Sequence, residues 1–302
     1  MSVLNQASDG LYTVLIVLVR AFVRLGPMPR EGLLAVCGAG LDSVVDASNL
    51  TRTLNRWTEL GLFATHDNLV VVDSQHADAL GKTADEAEAR LPMVARAIAL
   101  SAENNARFWE AEAAKSADLC RGLSWLLAQD VYTINTNAPR TVASLEIDQL
   151  TDASRCIFQN ETRWNGLRAW MPYLGFAREG THMAVDPTVA VRDALPEVFA
   201  STSSLTARQF VEALAQLLPV LDGGAYRSQV EAILSPSRWR KPPDGQLSTA
   251  LSRALQRLEF EGHIALGRGA DAKEGIALTG AGSRVWREVT DVRRLEQTGL
   301  KR

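Results

Sequence analysis

One pattern recurs three times in this 302-residue chain: a polar start, an amphipathic helical run, a glycine at its end, and one or two short β-type runs. The first occurrence begins at Ser48-Asn49 and carries Leu50, Leu54, Trp57 and Leu60 at helical spacing. It stops at Gly61 and continues as Leu62-Phe63-Ala64, a turn at Asp67-Asn68, and Leu69 to Val72. The second begins near Asn160, carries Trp164, Leu167, Trp170, Met171 and Leu174, and ends at Gly175. It returns through Phe176-Ala177, a turn at Glu179-Gly180, and His182 to Val185. Pro172 is expected to shorten or kink that helix. The third begins near Gln246, runs through Leu247, Leu251, Leu255 and Leu258 to Gly262, and continues as His263 to Leu266, a long turn from Gly267 to Gly275, and Ile276 to Thr279. Apolar side chains three or four apart bury one helical face, Ser or Asn satisfies the first free amides, and glycine closes the helix in a left-handed conformation.

A helix stopped by glycine and followed by a two-stranded hairpin is the back half of a winged helix. Helices upstream should supply the front half: Leu11 to Leu25 with Arg30 to Ala39 for the first module, Ile147 to Phe158 for the second, Ala207 to Leu218 with Tyr226 to Leu234 for the third. One such unit arises by chance in any α+β chain; three in one chain carry the reading. The expected fold is mainly α (α+β), with multiple winged-helix-like modules joined by a helical spacer. Its domains are a first module over 1–80, a spacer over 81–140, a second module over 141–200 and a basic C-terminal module over 201–302. Ala84 to Gln129, rich in Ala, Glu and Leu, reads as two long helices broken near Pro92 and Ser116, either a spacer or an arm that makes a homodimer. Trp109, Trp125 and Phe108 within it are spaced for core packing. Thr133 to Arg140, Ser201 to Ser204 and Pro236 to Asp244 read as junctions.

Charge is distributed unevenly. Residues 1–80 carry −3, residues 81–156 carry −3 and residues 157–235 carry −2, whereas 236–302 holds thirteen basic against eight acidic residues, a net +5. Any sequence-independent attraction for phosphate belongs to that last quarter. Cys37, Cys120 and Cys156 are odd in number and far apart, which fits neither a disulfide framework nor a zinc site and points to a reducing, cytoplasmic setting. The apolar run Leu11 to Leu25 is interrupted by Arg20 and Arg24, and is too short to span a bilayer core, for which about 20 apolar residues are needed. No basic residue precedes it, as a secretion signal would require. No membrane association is expected.

The candidate docking residues follow from the repeat. Arg52 and Arg56 stand nine and five positions before Gly61, and Arg253 and Arg257 stand nine and five before Gly262. Spacing of four places each pair on one face opposite the leucine stripe, where arginine reaches phosphate or the major-groove edge of guanine. The same arginines can instead pair with Glu59 or Glu261 as ordinary surface ions. Arg238, Arg240 and Lys241 precede the third helix, Arg268 and Lys273 lie in its wing, and Arg284 and Arg287 are expected on a final helix. Trp239 is placed either to stack on a base or to anchor the loop on its own domain. Arg163 and Arg168 break the spacing in the second module, whose Trp164 and Trp170 suit packing or a protein interface.

Nothing in the residue pattern announces catalysis. His66, His76, His182 and His263 form no metal-binding pair, and Gly38-Ala39-Gly40-Leu41, read as a turn between helices, lacks the Gly-Lys-Ser/Thr of a phosphate loop. The acidic residues show no nuclease order. No enzyme activity, cofactor or metal is expected.

Leu11-Tyr12-Thr13-Val14-Leu15, the helix-wing unit from Asn49 to Val72 and the overall length resemble the DpdG family. These are components of bacterial gene clusters that insert 7-deazaguanine bases into DNA and restrict unmodified DNA. The resemblance implies an accessory role in DNA modification, restriction or anti-phage defence, with no catalytic residues to carry over. Two readings remain open. One is a non-catalytic subunit that binds double-stranded DNA alongside other protein subunits of the same system. The other is an assembly protein, similar to tandem winged-helix elements that clamp onto chromosome-organising ATPase complexes, whose modules bind protein partners of an ATPase or defence complex.

Overall fold

A computed structural model describes residues 3–4, 12–38, 44–110, 115–269 and 275–295. The chain is mainly helical, with twelve α-helices and small antiparallel sheets among those residues. It runs α1 (Tyr12–Leu25), β1 (Met28–Pro29), α2 (Arg30–Gly38), α3 (Val44–Glu59), β2 (Phe63–His66), β3 (Leu69–Val72), α4 (Ser74–Leu80), α5 (Ala84–Leu100), α6 (Ala117–Leu127) and α7 (Pro139–Gln149). It continues through α8 (Glu161–Tyr173), β4 (Ala177–Arg178), β5 (Ala184–Val185), α9 (Thr188–Val198), β6 (Ser204–Thr206), α10 (Ala207–Leu217) and α11 (Ala225–Glu231). The last elements are α12 (Thr249–Phe260), β7 (Ile264–Gly267), β8 (Ile276–Thr279), β9 (Val285–Val289) and β10 (Asp291–Arg294).

Contacts divide the chain into two units, one of residues 1–120 and 160–174, the other of 121–159 and 175–302. In the first, α1 packs against α2, α3 and α5. Strands β2 and β3 form a hairpin in register Phe63↔Val72 to His66↔Leu69, turned by Asp67 and Asn68, both at positive φ. That mirror-image turn matches strand twist, and Asn and Asp tolerate it better than most residues. β1 joins the other edge of β3, giving the order β1-β3-β2. Helix α8 supplies an aromatic cluster to this unit: the Trp170 ring lies 5.7 Å from Trp57 and 6.4 Å from Tyr12, and Tyr12 stacks on Tyr173 at 4.5 Å. Trp164 is also buried, so the tryptophans of the second repeat are packing residues. The buried Asp118 carboxylate accepts the amides of Val3 and Leu4 at 3.1 and 2.7 Å.

The second unit repeats the first unit's element order. α9, β6, α10, α12, β7 and β10 follow one another as α1, β1, α2, α3, β2 and β3 do, and the sheet again places the first strand beside the third, β6-β10-β7. α9 packs on α10 and α12, as α1 packs on α2 and α3. Two insertions distinguish it: α11 before α12, and the β8-β9 hairpin between β7 and β10. The helix of the middle repeat falls in the first unit and its hairpin, β4-β5, in the second.

Several local expectations change. Helix α3 begins at Val44, so Ser48 and Asn49 lie inside it and do not cap it. Pro92 sits within α5 without ending it, because Leu91, Val94, Ala95 and Ile98 bury a continuous apolar face. The helix expected over Ile147 to Phe158 is instead α7, ending at Gln149 and followed by a short turn at Ala153–Arg155. The third helix is capped by Ser248, whose hydroxyl accepts the Leu251 amide. β7 and β8 do not pair with each other: β7 pairs with β10, and β8 with β9. Arg284 just precedes the β9 strand and Arg287 lies within it, neither on a final helix; Val285, Val289, Thr290 and Val292 are β-branched and fit a pleated surface better than a helix. The Ala39-Gly40-Leu41 part of the glycine-rich turn lies outside the described residues.

Gly61, Gly175 and Gly262 all have positive φ, +97°, +81° and +75°. A side chain at Gly262 would point into open space, so Gly262→Ala carries only conformational strain of about 1 kcal/mol. At Gly224 a Cβ would stand 2.3 Å from the carbonyl oxygen of Pro219, which also accepts the Tyr226 and Arg227 amides at 3.0 Å each. Gly224→Ala is therefore expected to destabilise by about 3 kcal/mol, the larger loss of the two in urea-unfolding midpoints.

Candidate nucleic-acid interface

Helix α12 is held from beneath by Leu251, Ala254, Leu255 and Leu258, all buried. At its start, Asp222 accepts both the Ser248 amide and hydroxyl, at 2.6 and 2.7 Å. Gln256 and Phe260 face outward, the latter 93% exposed, and Arg253 beside them is half-buried. The Arg253 guanidinium lies 5.8 Å from the centre of the Tyr132 ring, a cation over an aromatic face.

Arg257 does not share that outward role. It pairs at 3.2 Å with the fully buried Asp186 and at 3.5 Å with Glu261. Asp186 also accepts the amide and the hydroxyl of Thr188, so its carboxylate both opens α9 and anchors α12 to it. In the first unit the matching residue Arg56 is only 5% exposed, while Arg52 is exposed. In the first unit the pair thus divides, Arg52 exposed and Arg56 buried, whereas Arg253 and Arg257 are both half-buried and differ in partner, the Tyr132 ring for one and Asp186 for the other. Arg287 is also tied down: it donates to Glu259 at 2.6 Å and to the Leu266 carbonyl, clipping β9 to α12 and β7.

The remaining basic residues are spread over the same unit. Arg238, Arg240 and Lys241 are exposed, Lys241 standing 3.8 Å from Glu231. Arg240 and Lys241 line a cavity of about 220 Å³ with Gln129, Asp130, Ser248 and Thr249 at the start of α12. Arg268 is exposed and pairs with Glu288 at 2.9 Å. Lys273 lies outside the described residues. Trp239 is buried and donates to the Ala128 carbonyl at 3.1 Å, so it anchors its loop and is not offered to a base.

Two groups escaped notice in the sequence. Tyr132 and Trp286, 43% and 46% exposed, flank the outer face of α12 from a loop and from β9. Glu146 is buried and accepts the amides of Ile157 and Phe158 at 2.6 and 2.9 Å and the Cys156 thiol at 3.2 Å. Burial pushes its carboxyl up, against the pull of those hydrogen bonds and of Arg121. Its partners belong to its own loop, which makes it a clamp. No group of residues that could hold a metal ion occurs among the described residues, and no described helix is long and apolar enough to cross a membrane.

These features define a mainly helical α+β protein with small antiparallel sheets. The family model for DpdG-like proteins matches residues 1–272, and the chain belongs to the DpdG-like family. Membership associates it with DpdG-type modification systems. Neither the curated proteins nor the solved structures contain a match.

Removing Arg257 leaves the buried Asp186 charge uncompensated, so Arg257→Ala is expected to cost about 3 kcal/mol in chemical denaturation, against about 1 kcal/mol or less for Arg253→Ala. The folded protein holds the Glu146 proton to higher pH than the unfolded chain does. Stability therefore falls as pH rises from the ordinary carboxylate range through the raised folded value, and that slope should flatten in Glu146→Gln when unfolding free energies are compared across pH.

Proposed function

We propose that this chain is a non-catalytic, DNA-binding accessory subunit of a bacterial 7-deazaguanine modification and restriction system, acting in the cytoplasm with the other subunits of that system in defence against foreign DNA. Each unit contains a winged helix, α1 to β3 in the first and α9 to β10 in the second, with α12 as the docking helix and β8-β9 as an elaborated wing. The observation that carries this reading is the solvent side of α12, with Gln256 exposed and Arg253 half-buried beside it, set in the one basic quarter of the chain. The repeated strand order, first strand beside third, supports the fold assignment. Arg238, Arg240, Lys241 and Arg268 supply phosphate contacts around it; Arg52 and Arg56 contribute less, one exposed and the other buried in an acidic region.

A second reading, protein assembly, is favoured for the first unit specifically. Its residues 1–80 carry −3, and its α3 presents Arg52 without the basic surroundings of α12. A tandem winged-helix adaptor of this kind would hold a protein partner of an ATPase or defence complex through one unit while the other meets DNA.

Fluorescence anisotropy on labelled duplex DNA tests the proposal. Wild-type affinity should fall steeply with salt, and Arg240→Glu, Lys241→Glu, Arg253→Glu should lose at least about tenfold in affinity and flatten the salt slope by about three. Arg257 is left intact because its loss would unfold the helix anchor. Salt-insensitive or absent binding by the wild type overturns the DNA reading; a melting curve matching wild type establishes that the variant is folded.

A further inference from the structure

Beside the outer face of α12 lies a cavity of about 190 Å³ lined by Tyr132, Ser252, Gln256, Thr279, Gly280, Ala281 and Trp286. It is smaller than the roughly 300 Å³ at which pockets for drug-sized ligands begin, and suits one flat ring system. Its two large aromatics are each nearly half exposed, although buried positions are available to such side chains elsewhere in the unit. Both are held in place. The amide before Tyr132 donates to Thr249 in the first turn of α12, and the Tyr132 amide donates to Asp130, at 3.0 Å each. Trp286 is the extra residue of a β-bulge: Leu278 opposes Arg287 and Thr279 opposes Val285, which leaves Trp286 without a partner in the ladder. Bulges of this kind redirect a side chain and are frequent beside functional sites.

The polar groups of the cavity are of a matching kind. The Thr279 hydroxyl is buried and has no hydrogen-bond partner among the described residues. Gln256 brings an exposed carboxamide, which can donate and accept along the edge of a base. Among the described residues no acidic one lines the cavity, Arg253 lies over Tyr132, and Arg284, exposed, stands two residues before Trp286. Aromatic faces with cations beside them complement a nucleic-acid strand, and stacking requires a base outside the duplex.

We infer that Tyr132 and Trp286 form a clamp that receives one unpaired base of a DNA strand docked along α12, its edge meeting Gln256 and Thr279. This rests on the DNA-binding reading. The test uses the full chain and three labelled duplexes in anisotropy titrations: one fully paired, one with a single-nucleotide bulge, and one with an abasic bulge. The base-containing bulge should bind about tenfold tighter than the other two, as stacking of a single base supplies. Tyr132→Ala and Trp286→Ala should each reduce that ratio to about one, while Trp286→Phe, which keeps an aromatic face, should retain most of it. Equal binding of all three duplexes, with the salt dependence intact, overturns the clamp and leaves the docking surface standing. Tighter binding of both bulges regardless of the base assigns the preference to backbone flexibility and also overturns it. Binding to none of the three overturns the docking reading and the clamp together. A contact reserved for a protein partner would appear as unchanged ratios in both alanine variants, again against the clamp.

Discussion

The second unit depends on a carboxylate that cannot be left alone. Asp186 is fully buried between the β4-β5 hairpin and α9, and an uncompensated charge there would cost several kcal/mol, so Arg257 is drawn from the surface of α12 to meet it. The buried stripe of Leu251, Ala254, Leu255 and Leu258 sets the rotation of α12, and the pair ties its last turn to the start of α9. Arg253, one helical turn earlier on the same face and also half-buried, lies over the Tyr132 ring, while Gln256 is exposed.

The same logic explains an identity of spacing that a linear reading takes for a pair of docking residues. Arg56 and Arg257 both stand five positions before a left-handed glycine, and both are withdrawn, one by burial and one by an ion pair. One turn earlier, Arg52 is exposed and Arg253 is half-buried over the Tyr132 ring. Periodicity locates the face on which a residue starts, but long arginine stems let the charged end travel to a partner that only the folded chain supplies. Asp186 lies 71 residues from Arg257, and nothing local announces it.

What was legible in the sequence was local. The helices around Tyr12 to Leu25 and Glu161 to Tyr173, the glycines that end α3, α8 and α12, and the Asp67-Asn68 hairpin follow from spacing and turn chemistry within a few residues. Strand pairing was less so. Ile264 to Gly267 passes over the nearest extended run and pairs with Asp291 to Arg294, because the intervening segment closes its own hairpin first. The Tyr132-Trp286 juxtaposition was hidden for a related reason. It joins residues 154 positions apart, and the tryptophan's direction is set by a bulge that no composition rule marks.

The repeated architecture does not imply a repeated task. Two units share a strand order and a helix-glycine junction, yet differ in the sign of their charge and in what their third helix displays. A common scaffold positions a helix, and the side chains outside the buried stripe decide what that helix can hold. In the first unit the corresponding helix shows Arg52 and Asn55 amid an acidic background, so attraction for phosphate is weak there. In the second, the insertion between β7 and β10 adds the strand that carries Trp286, and the basic loop before α12 adds charge around the start of the helix. Under the proposed role, recognition is therefore concentrated in the insertions, which are free to vary because the three-stranded sheet closes without them.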